Sequence, residues 1–236
     1  RLARRLRATG KQSFAEYLDA LEKNGGDEWE RFVNSLTTNL TSFFREPHHF
    51  PIFAEHLRKL GNRRPIRVWC SAASTGEEPY SIAITVLETF GANTSHVSIV
   101  ASDLDTNVLA TAQKGVYPVE RVEKLSPERL RRFFLRGTGA QEGFVSVRPE
   151  LKSLIQFQRL NLLDASYAVK GPLDVIFCRN VMIYFDKPTQ YKILSRFAPL
   201  MQPDGLMFAG HSESFLHAAD LFRSQGKTVY TLASAR

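Results

Sequence analysis

The sequence predicts an α/β fold: a doubly wound, mixed sheet with a small antiparallel β insertion and an N-terminal helical domain. Three observations predict it. From about residue 64, short apolar runs alternate with stretches of helical periodicity, as in sheets covered on both faces. Small residues, Ser71-Ala72-Ala73-Ser74-Thr75-Gly76, follow the first such run, where the backbone must approach a ligand closely. One stretch, about 133–150, breaks the alternation with a glycine-rich turn and period-two patterning. Residues 1–60 are accordingly read as a helical domain and linker, and 61–236 as the domain built on the sheet.

Taken in order, Phe14, Tyr17, Leu18 and Leu21 share one helical face, with Ser13 and Glu16 at capping-box spacing. Gly25-Gly26 interrupts, and a second helix over 28–36 is expected to turn Trp29, Phe32, Val33 and Leu36 inward. Phe50, Phe53 and Leu57 recur at helical spacing as core. Strands are expected over 66–70, 97–102, 155–161, 174–178, 206–210 and 229–232. Helices over 80–90, 106–114 and 188–201 lie between them, the first preceded by Pro79. In the insertion, 133–135 and the alternating 144–148 flank the turn at 136–143.

The 236 residues are 43% hydrophobic and 23% charged, ordinary for a globular chain. No apolar run reaches the roughly 18 residues of a membrane span, and the basic start lacks the apolar core of a signal peptide. The chain does not begin with Met, so the N-terminal helical domain is expected to be truncated. Cys70 and Cys178 fall in apolar strand-like runs and read as buried small hydrophobes of a reducing, cytoplasmic compartment. A net charge of +7 suits a nucleic acid, an anionic surface or an acidic protein partner, and alone cannot choose among them.

Ligands of α/β sheets sit beyond the carboxyl ends of the strands. A dinucleotide loop presents several glycines and a free helix N-terminus to a diphosphate. Here a single Gly76 is followed by Glu77 and Glu78, which would repel phosphate and suit a cationic ligand such as S-adenosylmethionine. The bland alternative is that they complement the helix dipole. Asp103, ending the second strand, is placed to accept from ribose hydroxyls, and Asp105 reads as a helix cap. Asn161 and Leu162 follow the third strand and suit an adenine; Arg179 and Asn180 follow the fourth. His48-His49 has no third ligand at a suitable downstream spacing, so packing is expected there and no metal.

With these residues in hand, the sequence resembles the chemotaxis receptor methyltransferase (CheR) family, a class I methyltransferase-like fold. The resemblance lies in Thr37-Thr38-Asn39-Leu40-Thr41-Ser42-Phe43-Phe44-Arg45-Glu46-Pro47, in Ser74-Thr75-Gly76-Glu77-Glu78-Pro79-Tyr80-Ser81, in the run 177–185, and in Gly210-His211-Ser212-Glu213-Ser214. It implies an S-adenosylmethionine-dependent protein-glutamate O-methyltransferase acting on methyl-accepting chemotaxis receptors, with S-adenosylhomocysteine as product. It further implies that Asn39, Thr41 and Arg45 reach over the cofactor, and that Glu78, rather than Glu77, meets its methionine moiety. Asp103 would hold the ribose and Asn161 with Leu162 the adenine. Arg179 and Asn180 would line the floor, and Tyr184 the acceptor pocket. Arg136, Gly137, Thr138, Gly139 and Gly143 resemble the turn of members that dock a receptor's C-terminal pentapeptide. A cytoplasmic monomer recruited to receptor arrays, with no nucleic acid bound and no membrane insertion, follows from the same resemblance.

A glutamate acceptor is already ionised near pH 7, which explains why the motifs hold no base with its orienting partner. Arg45 and Tyr184 are the candidate catalytic side chains, one as a fork for a carboxylate and one as a donor to the acceptor oxygen. Arg179 is a second candidate fork, and a surface ion pair with Glu46 is the alternative for Arg45. Three rivals are a nicotinamide oxidoreductase, a nucleic-acid methyltransferase and a noncatalytic adaptor. The first lacks its glycines, the second lacks prolines after Asn180, and the third does not need the intact loop. Arg1, Arg4, Arg5, Arg7 and Lys11 could steer an acidic partner.

Overall fold

The computed structural model describes residues 2–234; Arg1, counted above among the basic residues, lies outside them. The chain runs α1 (Leu2–Thr9), α2 (Phe14–Asn24), α3 (Gly26–Leu36), α4 (His49–Leu60), β1 (Ile66–Cys70), α5 (Glu77–Phe90), β2 (Val97–Asp103) and α6 (Thr106–Lys114). It continues through β3 (Val116–Pro118), α7 (Pro127–Phe133), β4 (Phe134–Arg136), β5 (Phe144–Val147), α8 (Pro149–Lys152) and β6 (Ile155–Arg159). It ends with β7 (Leu173–Cys178), α9 (Lys187–Phe197), β8 (Met201–Ala209), β9 (Phe222–Ser224) and β10 (Val229–Leu232).

Seven strands form one sheet in the order β6-β2-β1-β7-β8-β10-β9. The pairs from β6 to β8 are parallel and the two involving β10 antiparallel, which makes the sheet doubly wound and mixed, as expected. The strand order reverses between β1 and β7, so a crevice opens at their carboxyl ends. Buried β-branched and aromatic side chains fill both faces. Phe53, Val68, Phe177 and Phe208 lie in one cluster, and Trp69, Ile176, Met207 and Phe197 in the other. Phe177 and Phe208 stack with ring centroids 4.5 Å apart across the register pair that joins β7 to β8.

Several expectations shift. Helix α5 starts at Glu77, three residues before the predicted start, because Pro79 occupies its first turn without needing a donor. Asn161 lies beyond β6, which ends at Arg159, and α9 stops at Phe197 because Met201 already belongs to β8. The insertion is a three-stranded sheet, β3-β5-β4; its third strand comes from Val116–Pro118, outside the 133–150 segment. The short β9 was not anticipated.

The N-terminal helices also differ. Of the face shared in α2, Tyr17 and Leu21 are buried and Phe14 and Leu18 exposed, and in α3 Trp29 and Leu36 are exposed against their predicted inward placement. The stripe is real, but only the part facing α1 and α3 finds cover. Among the basic residues, Arg5 is tied to Glu28, which also accepts from the Tyr17 hydroxyl at 2.7 Å, and Lys11 lies 3.3 Å from Glu16. Arg5 is therefore anchored within the helical bundle.

Candidate active site

A cavity of about 510 Å³ opens beyond the carboxyl ends of β1, β2, β6 and β7. Asn39, Thr41, Arg45, Glu78, Asp103, Asn161, Leu162, Arg179, Asn180 and Tyr184 all line it. Residues widely separated in the chain meet there because four strand ends and the linker 37–47 converge on one place.

The linker is strapped to the sheet by polar contacts. The Thr37 hydroxyl donates to Asp105 at 2.6 Å, and the Asn39 amide donates to the same carboxylate at 3.0 Å. Asp105 meanwhile caps α6, accepting from the backbone of Asn107 and Val108, as its position predicts. Ser74 donates to the Asn39 carbonyl at 3.2 Å, and the Phe44 N–H donates to Ser81 at 2.9 Å. Asn39 thus spends its amide on holding the strap, and its contact with the cavity is a wall contact.

Glu77 and Glu78 part company. Glu77 is fully buried away from the cavity, accepting from Thr75 at 2.6 Å and paired with Arg121 at 2.9 Å. Only one of the two carboxylates therefore faces the cavity. Consecutive helical residues point about 100° apart, so they cannot share a direction. Glu78 does face the cavity, where Arg179 donates to it at 2.6 Å and the Cys70 thiol at 3.4 Å. Burial pushes the Glu78 carboxyl up, with the Arg179 charge opposing.

Arg179 is 4% exposed and works as a hub. Besides Glu78 it contacts the Arg45 carbonyl and lies 3.4 Å from Glu46. Its two terminal nitrogens thus face the protein's own acceptors, while the residue lines the cavity floor. Arg45 is different. One guanidinium nitrogen donates to the Leu40 carbonyl at 2.8 Å, and the side chain lines the cavity. It is not the partner of Glu46, which accepts from His211 at 3.1 Å and Asn180 at 3.2 Å. Burial pushes the Glu46 carboxyl up, but Arg179, His211 and Asn180 outweigh it and hold it at about 2.

Asp103 accepts from the Ser74 N–H at 2.8 Å and the Asp105 N–H at 3.0 Å. Burial pushes its carboxyl up, and these N–H groups pull it back. Each oxygen keeps a further lone pair for a ligand hydroxyl. Asn161 turns its side-chain oxygen to the Leu163 N–H at 3.0 Å, which leaves its NH₂ as the donor available for a base. Tyr184 sits at the lip, 58% exposed.

Sequence reasoning missed two carboxylates. Glu46 gathers the linker onto Arg179, Asn180 and His211, and the buried Glu213 accepts from backbone N–H groups of the lip. Both lie in motifs quoted above, but spacing alone cannot distinguish a buried acceptor from a solvated acid. Glu46 also supplies the third donor beside His48 and His49, with one ligand atom from each lying within 4.8 Å of the others. A cation there would face Arg179, 3.4 Å from Glu46. His49 instead bonds Lys227 O at 2.9 Å, and burial together with Arg179 pushes its pKa down to about 4.

The turn of the insertion lies apart from the cavity. Gly139 and Gly143 adopt positive φ, and a Cβ on Gly137 would meet the Gln141 carbonyl at 2.0 Å, so the turn needs its glycines. Arg136 lines a shallow apolar groove with Val119, Val122, Leu130, Phe134 and Val145.

Residues 39–231 match the family described as CheR methyltransferase, SAM binding domain, and residues 1–37 its all-alpha domain. The chain is 56% identical over 234 residues to chemotaxis protein methyltransferase 2 of Pseudomonas aeruginosa, covering 99% of this chain and 83% of that one. It is 54% identical over 234 residues to the chemotaxis protein methyltransferase of Escherichia coli, covering 99% and 81%.

Proposed function

Because the chain belongs to the CheR methyltransferase family and carries its S-adenosylmethionine-binding domain, we propose that it methylates glutamate side chains of methyl-accepting chemotaxis receptors. The products are glutamate methyl esters and S-adenosylhomocysteine. The observation that carries this reading is the cavity itself: Glu78 on one wall, Asp103 and Asn161 on another, and an exposed Tyr184 at the open lip. Glu78 occupies the first turn of α5, where a diphosphate would have to sit.

The residues fit the cofactor by chemistry. Asp103 offers lone pairs to ribose hydroxyls, Asn161 and Leu162 an amide and an apolar face to adenine, and Glu78 a carboxylate to the ammonium of the methionine moiety. Arg45 holds a carboxylate, and Asn39 and Thr41 close the strap over the ligand. The bound cofactor supplies an electrophilic methyl group on a cationic sulfur. The acceptor glutamate, with an ordinary pKa near 4.3, arrives ionised and needs no base. The protein's task is alignment of oxygen, carbon and sulfur, with the Tyr184 hydroxyl orienting the acceptor oxygen.

Receptor capture can use the insertion. Strand β4 is an edge of β3-β5-β4, open to an added strand. Arg136, Gly137, Thr138, Gly139 and Gly143 form the adjoining turn, suited to a receptor's C-terminal pentapeptide. Docking there raises the local concentration of the enzyme near its acceptor helices. No helix among the described residues is long and apolar enough to cross a membrane. The reading is of a cytoplasmic monomer recruited to receptor arrays.

The decisive experiment supplies tritiated S-adenosylmethionine with receptor-containing membranes. Label released as methanol by mild base identifies an ester and supports the reading. Base-stable label, or no label while NADH binds in a fluorescence titration, would overturn it.

A further inference from the structure

The lip of the cavity is a short loop after β7, residues 179–185, that carries the exposed Tyr184 near its end. Its backbone is held from two sides by buried polar side chains on other elements. Glu213, 5% exposed, accepts from Asn180 N at 2.9 Å, Val181 N at 2.9 Å and Met182 N at 2.7 Å. The same carboxylate accepts from Gly210 N at the end of β8 at 2.5 Å. Gln190 on α9, 7% exposed, donates to the Met182 carbonyl and the Phe185 carbonyl, both at 2.9 Å. One residue thus satisfies N–H groups of the loop and the other its carbonyls.

The loop has little freedom elsewhere. Asn180 sits at φ 58°, in the left-handed region, and a Cβ on Gly210 would meet its side-chain nitrogen at 2.3 Å. Neither Glu213 nor Gln190 lines the cavity. Arg179 is anchored independently, by Glu78 and Glu46. What the two residues govern is therefore the stretch from Asn180 to Phe185, on the side of Tyr184.

We propose that Glu213 and Gln190 are positioning residues that clamp the 180–185 backbone and so set Tyr184 for the acceptor. This rests on the methyl-transfer reading above. A carboxylate suits the task because it has only acceptor oxygens, enough for four converging N–H groups. A glutamine of the same size would turn an NH₂ toward at least one of those donors. Gln190 in turn offers two donors, matching two carbonyls. The clamp acts on alignment in the transition state, so its loss falls on kcat and spares cofactor affinity.

The test uses Glu213→Gln and Gln190→Met in the full chain. It reads kcat with receptor membranes, adenosylhomocysteine affinity by calorimetry, and amide hydrogen exchange. The expected result is a kcat at least tenfold lower in a folded variant, with affinity within about threefold of wild type. Faster exchange should be confined to the amides of 180–185. Unchanged kcat in either folded variant, or an affinity loss that matches the kcat loss, overturns the proposal. So does unfolding of both variants at assay temperature, since the two side chains are then scaffold only. Should the wild-type chain transfer no methyl group while exchange still localises to 180–185 in the variants, the methyl-transfer reading fails and the clamp stands. Exchange that rises throughout the chain removes the clamp.

Discussion

With one nitrogen 2.6 Å from Glu78 and another 3.4 Å from Glu46, Arg179 leaves neither buried carboxylate alone. Removing one partner of such a network strands the others without water. Arg179→Met should lower stability by roughly 3–5 kcal/mol, a fall in Tm on the order of 10 °C for a chain of this size. Differential scanning calorimetry checks it. Asp103→Ala removes the acceptor proposed for the ribose, and charge-assisted hydrogen bonds contribute about 1.5–3 kcal/mol. Adenosylhomocysteine affinity should fall roughly tenfold to a hundredfold in calorimetry; an unchanged value removes Asp103 from that role.

Acid should weaken the fold at the same corner. His49 is held at about 4 and Glu46 at about 2, both below their ordinary values. A native state with lowered pKa values binds fewer protons than the unfolded chain, so stability is lost as pH falls. His49 contributes the loss between about 6.5 and 4, and Glu46 that between about 4.3 and 2, at roughly 1.4 kcal/mol per unit. Urea titrations at stepped pH should show both windows, and His49→Gln should shrink the upper one, to which the likewise lowered His56 and His217 also contribute. Which acid does what was hidden in the sequence. Glu77 and Glu78 are neighbours in one motif, yet one pairs with Arg121 outside the cavity and the other faces it. A helical turn decides that, and composition carries no trace of it.

At the scale of elements, the opening of α5 is the tightest joint. Gly76 adopts φ 100°, and a Cβ there would meet the Tyr117 hydroxyl at 2.7 Å and Ala112 at 2.8 Å. Gly76→Ala should therefore cost stability on the order of 1–3 kcal/mol and move Glu78. Loss of both Tm and adenosylhomocysteine affinity is the expected outcome. Long, periodic elements such as β1, α6 and β7 were legible because each repeats its burial signal over several turns or pleats. The three-residue strands β3 and β9 were not. Val116–Pro118 ends in a proline and pairs only through β5, so its strand state comes from the partner. The outward Phe14, Leu18, Trp29 and Leu36 show the same limit: a stripe reveals amphipathicity, and neighbours decide how much of it is covered.

At the scale of the molecule, strand and helix alternation announced the parallel core, and the crevice at the strand-order reversal located the site before any side chain was placed. The insertion stands apart from that crevice, so exchange of residues 136–143 for an unrelated turn should abolish pentapeptide binding and leave cofactor affinity intact. Fluorescence anisotropy with a labelled peptide, beside calorimetry with adenosylhomocysteine, separates the two.

The strap of residues 37–47 has a consequence for where this protein can be cut. A fragment beginning at residue 61 retains every strand but discards Asn39, Thr41 and Arg45, and with them one side of the cavity. It also exposes the Asp105 carboxylate and Ser81, against which the strap is moored. The smallest portable unit is therefore longer than the sheet: anyone grafting or minimising the enzyme has to carry the chain from Thr37 onward, or inherit an open trough in place of a vessel.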